Sequence, residues 1–357
     1  MKYNIPGRRQ WLTISALAAL AVPLMTPETT AQTTAETAAK KPVSAVAIMY
    51  HRFGEVAHPS TNIKLEQFDA HLAELSSGKY AVLPLPEIAA ALRSGTPLPD
   101  RAVAITIDDA YRSVYTEAWP RLRKAGLPFT LFVATQPVEQ GLPGFMTWDQ
   151  IRELRDAGVT IGAHTHTHAH LAKGSLAAAK AEIDTSNAIL KRELGAVPPL
   201  FAYPFGESSA EVTALVRAAG HSTAFGQHSG VMEPGQSPYY LPRFALNETY
   251  GGMDRLTLVL NALPVPVTGI VPTDPLIAPS ANPPAFGFTV DKSVRGLSQL
   301  ACYHSQTGKA TIERLGPRRI EVRFNGEFRK GRSRINCTMP GPGGRWRWLG
   351  MQYYVKP

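Results

Sequence analysis

The chain has 357 residues, 44% of them hydrophobic and 18% charged, with 29 Gly, 30 Pro and 2 Cys. That length allows two domains, or one large barrel with an appendage, and it excludes both a small disulfide-stapled scaffold and a wholly disordered chain. The formal charge of +9 is unevenly placed, because residues 283–357 carry 14 Lys+Arg against 4 Asp+Glu while the remainder is close to neutral. The basic tail has the pattern of strands and no basic recognition helix, which argues against a nucleic-acid partner and for an anionic envelope polymer or similar partner outside the cytoplasm.

Residues 1–31 read as a secretory signal: Lys2, Arg8 and Arg9 precede an apolar stretch over 11–25, and the small residues Thr29, Thr30 and Ala31 follow. Arg8-Arg9-Gln10-Trp11-Leu12 is also similar to a twin-arginine export signal. The apolar run falls short of the ~20 residues of a membrane span and contains Pro23, so cleavage near Gln32 is expected. The mature chain is then periplasmic or secreted, with no integral span. Residues 32–43, rich in Thr, Ala and Lys, read as a flexible leader.

From residue 44 an alternation begins. Apolar runs at 45–50, 80–85, 102–107, 129–134, 159–163, 200–203 and 222–225 have the character of buried strands. Helical spacing fills the intervals at 65–75, 86–92, 115–125, 148–157, 176–194 and 210–219, several ending in Gly. Seven strand–helix units predict an α/β domain over 44–263 with a parallel sheet, either a closed barrel or a doubly wound sheet, and with its chemistry at the C-terminal strand ends. The Pro-rich segment 264–284 reads as a semi-rigid linker. Short strand-like pieces over 285–357 predict a smaller β-sandwich-like domain. It holds the only cysteines, Cys302 and Cys337, which in an exported chain are expected to form one disulfide worth about 2–4 kcal/mol. Trp346, Trp348, Tyr353 and Tyr354 are expected to serve core and interface packing before sugar stacking.

Three strand ends concentrate the polar residues: Asp108-Asp109, the run His164-Thr165-His166-Thr167-His168-Ala169-His170, and Pro204-Phe205-Gly206. Adjacent carboxylates after a buried strand can divide labour, one binding a metal and the other acting as a base; alternatively Asp109 caps the next helix and Asp108 is solvated. His164 and His168 are four apart, a spacing that lets two imidazoles meet one ion, and His166 and His170 share it. Two His and one Asp leave coordination positions open, as catalytic metal sites do.

Thr106-Ile107-Asp108-Asp109, His164-Thr165-x-x-His168 with Leu171, and Tyr203-Pro204-Phe205-Gly206 resemble the first three motifs of the polysaccharide deacetylases, the NodB-like carbohydrate esterase family 4, over roughly residues 44–250. Tyr50-His51-Arg52 is similar to members that act on exported polysaccharides. The resemblance implies a distorted (β/α)7 barrel, Asp108 as general base, and Asp109, His164 and His168 as ligands of a divalent ion, usually Zn2+. The ligand set also accommodates Co2+, Ni2+ or Fe2+. Thr165 and Leu171 fall where the family pattern puts them if His164 and His168 ligate. Pro204-Phe205 is then the substrate loop, with the Phe205 backbone N–H as oxyanion donor.

Two departures stand out. Ala202 occupies the place of an Arg that orients the base, and Arg243 is either its replacement or a surface ion pair. The Leu-x-His that supplies the general acid is not recognisable, which leaves His51, His228 and His221, the first two favoured because they lie near strand ends. The reading is a metal-dependent N-deacetylase of an N-acetylglucosamine-containing exported or cell-wall polysaccharide. The alternatives are a small-substrate amidohydrolase or esterase on the same scaffold, and a non-catalytic envelope polysaccharide-binding protein with a degenerate site.

Overall fold

The computed structural model describes residues 43–356; the signal, and all of the leader but Val43, lie outside them. Eight parallel strands form the first sheet: β1 (Ala45–Tyr50), β2 (Ala81–Val82), β3 (Ala102–Asp108), β4 (Phe129–Val133), β5 (Thr160–Ala163), β6 (Leu200–Ala202), β7 (Thr223–Phe225) and β8 (Phe244–Ala245). Their order is β8-β1-β3-β4-β5-β6-β7, with β2 beside the start of β3. Between β7 and β8 the ring is carried by a single bridge, Phe225 to Leu241. The result is an α/β fold of the distorted-barrel kind, with helices such as α1 (Leu65–Leu75), α2 (Leu85–Ser94) and α3 (Leu176–Leu194) on its outside or base.

Strands β1, β3 and β4 are buried at every position, as expected for parallel strands covered on both faces. Their two-residue period sorts the side chains. Val46, Ile48, Val103, Ile105, Phe129 and Leu131 pack outward into the larger core. Ala45, Ala47, Ala102, Ala104, Phe132 and Ala202 share a second cluster with Leu85, Ile88 and Leu92 of α2. Gly162 is required on this inner side because a Cβ would lie 2.4 Å from the Phe132 ring.

The sequence reading differs from the structure at two places. The run 80–85 contributes only the two residues of β2, because Pro84 has no N–H for a ladder and instead opens α2. Its full place in the sheet goes to β8, too short to stand out in the sequence. The segment 264–284 is no linker: β9 (Leu263–Pro264), β10 (Val267–Val271) and β11 (Leu276–Ile277) are woven into the C-terminal sheets, since the apolar residues between prolines suffice to pair.

The C-terminal region is a sandwich of two sheets. One has the order β10-β12-β16-β15, with β12 (Phe286–Val290), β15 (Thr311–Leu315) and β16 (Arg319–Arg323). The other has the order β9-β18-β17-β13-β14, with β13 (Ala301–His304), β14 (Gly308–Lys309), β17 (Gly331–Pro340) and β18 (Trp346–Val355), and β11 also pairs with β18. Phe286, Phe288, Ile320 and Val322 pack against Ile335, Met339, Leu349 and Tyr353 between them. Cys302 and Cys337 oppose each other on β13 and β17, with Cα atoms 4.0 Å apart and sulfurs bonded.

Alternation on β17 and β18 turns their second face toward the barrel. Trp348 meets the Phe244 ring edge-on at 5.3 Å and donates to Asn336, whereas Trp346 is exposed. Gly350 crosses so close to the barrel loop after β7 that a Cβ would lie 1.6 Å from the Ser229 carbonyl oxygen. Gly350→Ala is therefore expected to destabilise the protein by about 1–3 kcal/mol or more through overpacking, read by urea denaturation. An unchanged midpoint would contradict the tight seating of the sandwich on the barrel.

Candidate metal and catalytic centre

The strand period that places Ala45, Ala47, Ala102 and Ala104 on the inner side carries Asp108, the last residue of β3, and His51, one residue past β1, to the same side. Tyr50 pairs with Ile107, so the two following side chains are neighbours, and His51 Nε2 lies 3.9 Å from Asp108 Oδ2. Asp108 is fully buried, and so is Arg243, which precedes β8. The guanidinium grips both carboxylate oxygens, Nη1 to Oδ1 at 2.7 Å and Nη2 to Oδ2 at 2.8 Å. It also donates to the Gly226 carbonyl at 3.0 Å and the Thr106 hydroxyl at 3.2 Å. Arg243 is thus no surface ion pair; from the position just before β8 its guanidinium reaches the buried Asp108. Burial alone would raise the Asp108 pKa, but the charge and hydrogen bonds of Arg243 hold it below the ordinary value, so the group is a carboxylate.

Asp109 turns away from its neighbour, with φ at +78°. Its Oδ1 lies 3.2 Å from Nε2 of both His164 and His168. His164 Nδ1 lies 2.7 Å from the Ala202 carbonyl oxygen. A carbonyl only accepts, so Nδ1 carries a proton, and in the neutral ring Nε2 presents a lone pair. His164 Nε2 and Asp109 Oδ1 are then two acceptors face to face, both buried and both without a hydrogen-bond partner. Such a pair needs a positive charge between its members. Asp109, His164 and His168 offer ligand atoms all within 4.8 Å of one another, and ligands about 2.0–2.1 Å from one tetrahedral ion would lie about 3.4 Å apart. The residues therefore fit a divalent cation. Burial opposes charge on His164, yet the Asp109 and Asp108 carboxylates raise its pKa, a sign of how strongly this pocket favours a cation.

The loops that build the centre are strained. Six non-glycine residues among those described have positive φ, and five of them, Asp109, Ala110, Thr165, His168 and Phe205, belong to the three strand ends. Each costs on the order of 1–3 kcal/mol, so the surrounding contacts must fix them. Glu182 accepts from the backbone N–H groups of His166 and Thr167. Gly206 is held by the Tyr240 hydroxyl at 2.7 Å, and a Cβ on it would lie 2.4 Å from the Gln227 nitrogen.

The remaining histidines separate clearly. His166 is engaged by the Thr135 hydroxyl. His170 bonds the Glu207 carboxylate at 2.7 Å and stacks flat on Phe205, centroids 3.9 Å apart. Neither faces Asp109, so the structure brings together the 164/168 pair. His228 is buried against Tyr240 with Nδ1 unpartnered. Burial, then Arg334 and Arg243, lower its pKa to about 3, so it stays neutral, and it has no ion pair with Asp108. His221 bonds the Pro198 carbonyl at the opposite strand ends. The structure joins neither to the centre, since His228 faces Tyr240 and His221 lies at the far strand ends; His51 alone of the three candidates adjoins Asp108.

Three contributors went unread in the sequence. Tyr111 lies under the Arg52 guanidinium at 3.4 Å, and burial together with Asp109 pushes its hydroxyl up to about 12; its place two residues after Asp109 was the available signal. Glu207 anchors His170. Gln352, from the C-terminal sandwich, donates to the Phe205 carbonyl at 3.0 Å, a contact that no local pattern announces.

Comparison with known proteins agrees with this geometry. Residues 95–224 match the polysaccharide deacetylase family model. A poly-beta-1,6-N-acetyl-D-glucosamine N-deacetylase of Staphylococcus aureus strain MSSA476 is 25% identical over 233 residues, covering 57% of this chain and 79% of that protein. Among solved structures, the Streptococcus pyogenes deacetylase PplD in complex with acetate superposes with a TM-score of 0.57 at 22% identity, over 62% of this chain and 99% of that one. IcaB from Ammonifex degensii gives 0.53 at 24% identity, over 62% and 98%. The last two establish likeness of fold. The chain carries a polysaccharide deacetylase domain and is a hydrolase acting on carbon–nitrogen bonds.

Proposed function

We propose that the protein removes acetyl groups from an N-acetylglucosamine-containing exported or cell-wall polysaccharide, using Asp108 as base beside a divalent ion, most simply Zn2+, held by Asp109, His164 and His168. The observation that carries this reading is the juxtaposition of a buried Arg-bound carboxylate with the facing acceptors of Asp109 and His164. Support for the substrate comes from the named activity of the Staphylococcus aureus relative. Support for action outside the cytoplasm comes from the signal-like residues 1–31; among the described residues no helix is long and apolar enough to cross a membrane.

The ion, when bound, supplies Lewis acidity at the acetamide carbonyl and makes nearby water a better acid. The protein's own groups do the rest. Asp108, fixed as a carboxylate by Arg243, accepts the proton of the attacking water through the oxygen that faces His51. The carbonyl oxygen gains negative charge as it becomes tetrahedral, and the Phe205 N–H, preset by the strained loop after β6, is placed to donate to it. Collapse breaks the carbon–nitrogen bond. The departing amine takes its proton through His51, the part-exposed imidazole beside Asp108, whose pKa burial lowers and which passes on the proton that Asp108 accepted from water; the products are acetate and a glucosamine residue.

Three outcomes test this reading. With Zn2+ or Co2+ and acetylated chito-oligomers, Asp108→Asn should lower kcat by about 10²–10⁴-fold; acetate release equal to wild type would contradict the role of the base. Arg243→Met leaves the Asp108 charge buried and unpaired, which should cost about 3–5 kcal/mol in urea denaturation, and adding Asp108→Asn should restore much of that. A double variant no more stable than the single would contradict the pairing argument. His164→Ala and His168→Ala should each weaken Zn2+ binding more than tenfold by competition with a chelator, whereas His166→Ala should not; the opposite pattern would overturn the ligand register.

A further inference from the structure

The C-terminal sandwich brings two arginines to the edge of the catalytic loop. Arg332 and Arg334 are two apart on β17 and share the face that turns toward the barrel, opposite Tyr354 and Gln352 of β18. Gln352 is 1% exposed, and its amide is used at both ends: Nε2 donates to the Phe205 carbonyl at 3.0 Å, and Oε1 accepts from Arg334 Nε at 3.1 Å. One amide group therefore separates the Arg334 guanidinium from the Phe205 loop. Arg332 lies 5.5 Å from the Phe205 ring centroid and 3.6 Å from Glu207 Oε1.

The charges in this cluster do not balance. Glu207 already serves His170 with its other oxygen, and it is the one carboxylate within ion-pair reach of either arginine among the described residues. Arg319 and Arg323 of the same sandwich are, by contrast, matched by Glu321 and Glu313. Arg334 is half-buried, and the bond to Gln352 is its guanidinium's only hydrogen bond among the described residues. Both Nη groups are left without partners, in the fork geometry that suits a carboxylate or phosphate. Holding a guanidinium partly out of water with no counter-charge is unfavourable unless an anion completes the site.

We propose that Arg334, with Arg332, forms a binding subsite for an anionic group, carboxylate or phosphate, borne by the polymer next to the acetylated sugar that enters the Asp108 centre. This rests on the reading of the barrel as the deacetylase site and narrows its substrate to acidic polymers. The C-terminal domain then supplies one wall of that site.

Binding separates this proposal from the one it rests on. The full mature chain, loaded with Zn2+, is titrated calorimetrically with a neutral acetylated chito-oligomer, its carboxymethylated form and its phosphorylated form. One or both anionic forms should bind about tenfold tighter, the scale of a charge-assisted hydrogen-bond pair, and which one does so identifies the group. Arg334→Gln should bring the anionic forms to the affinity of the neutral one, and Arg334→Lys, which keeps the charge without the fork, should keep only part of the preference; if Arg334→Gln fails to fold, Arg332→Gln gives the second reading. Equal binding of all three oligomers by wild type, or an undiminished preference in the folded Arg334→Gln variant, would overturn the subsite whatever the turnover. A preserved anionic preference without any acetate release would instead overturn the deacetylase reading.

Discussion

Two buried acceptors held 3.2 Å apart, His164 Nε2 and Asp109 Oδ1, are the constraint on which the centre depends. In the neutral ring they cannot satisfy each other, because the Ala202 carbonyl holds the His164 proton on Nδ1. The fold keeps them facing, at the cost of a positive φ at Asp109 and at His168, so the pocket is preorganised for a cation and not for its own hydrogen bonds. The neighbouring carboxylate is treated in the opposite way. Asp108 is saturated by Arg243, which keeps it ionised and aimed, while Asp109 Oδ1 is left without such a partner. Two adjacent aspartates thus acquire different chemistry from different partners.

The supports of the centre come from distant parts of the chain. Arg243 stands 135 residues from Asp108 and Gln352 stands 147 from Phe205. The C-terminal sandwich is seated by the close passage of β18 over Ser229 at Gly350, and that seating lets Gln352 and Arg332 reach the loop after β6. Strain in the loop at Phe205 persists only if packing over-determines it. The sandwich therefore contributes to the geometry of the barrel's site as well as to its charge.

Much of this was legible in the sequence because the relevant signals are local. Buried apolar runs located β1 and β3 to β7 within a residue or two, and strand-end position drew attention to Asp108, Asp109 and the histidine run 164–170, within which the family resemblance chose His164 and His168. The period of two that carries His51 and Asp108 to one face is likewise a property of sequence once the strands are known. What stayed hidden depends on contacts between remote segments. Arg243 read equally as a surface ion pair, since nothing nearby in the chain reveals that it is buried. Proline-rich 264–284 has the composition of a linker, and only pairing with β12 and β18 makes it part of two sheets. Gln352 and Glu207 carry no pattern at all, because an isolated polar residue acquires its role from what folds against it.

The most direct measurement is anomalous diffraction at the zinc edge from crystals grown with Zn2+. The account predicts one strong peak bonded to Asp109 Oδ1, His164 Nε2 and His168 Nε2, with Asp108 beside it and still gripped by Arg243. A pocket without a peak under excess zinc, or a peak on His166 and His170 instead, would contradict it.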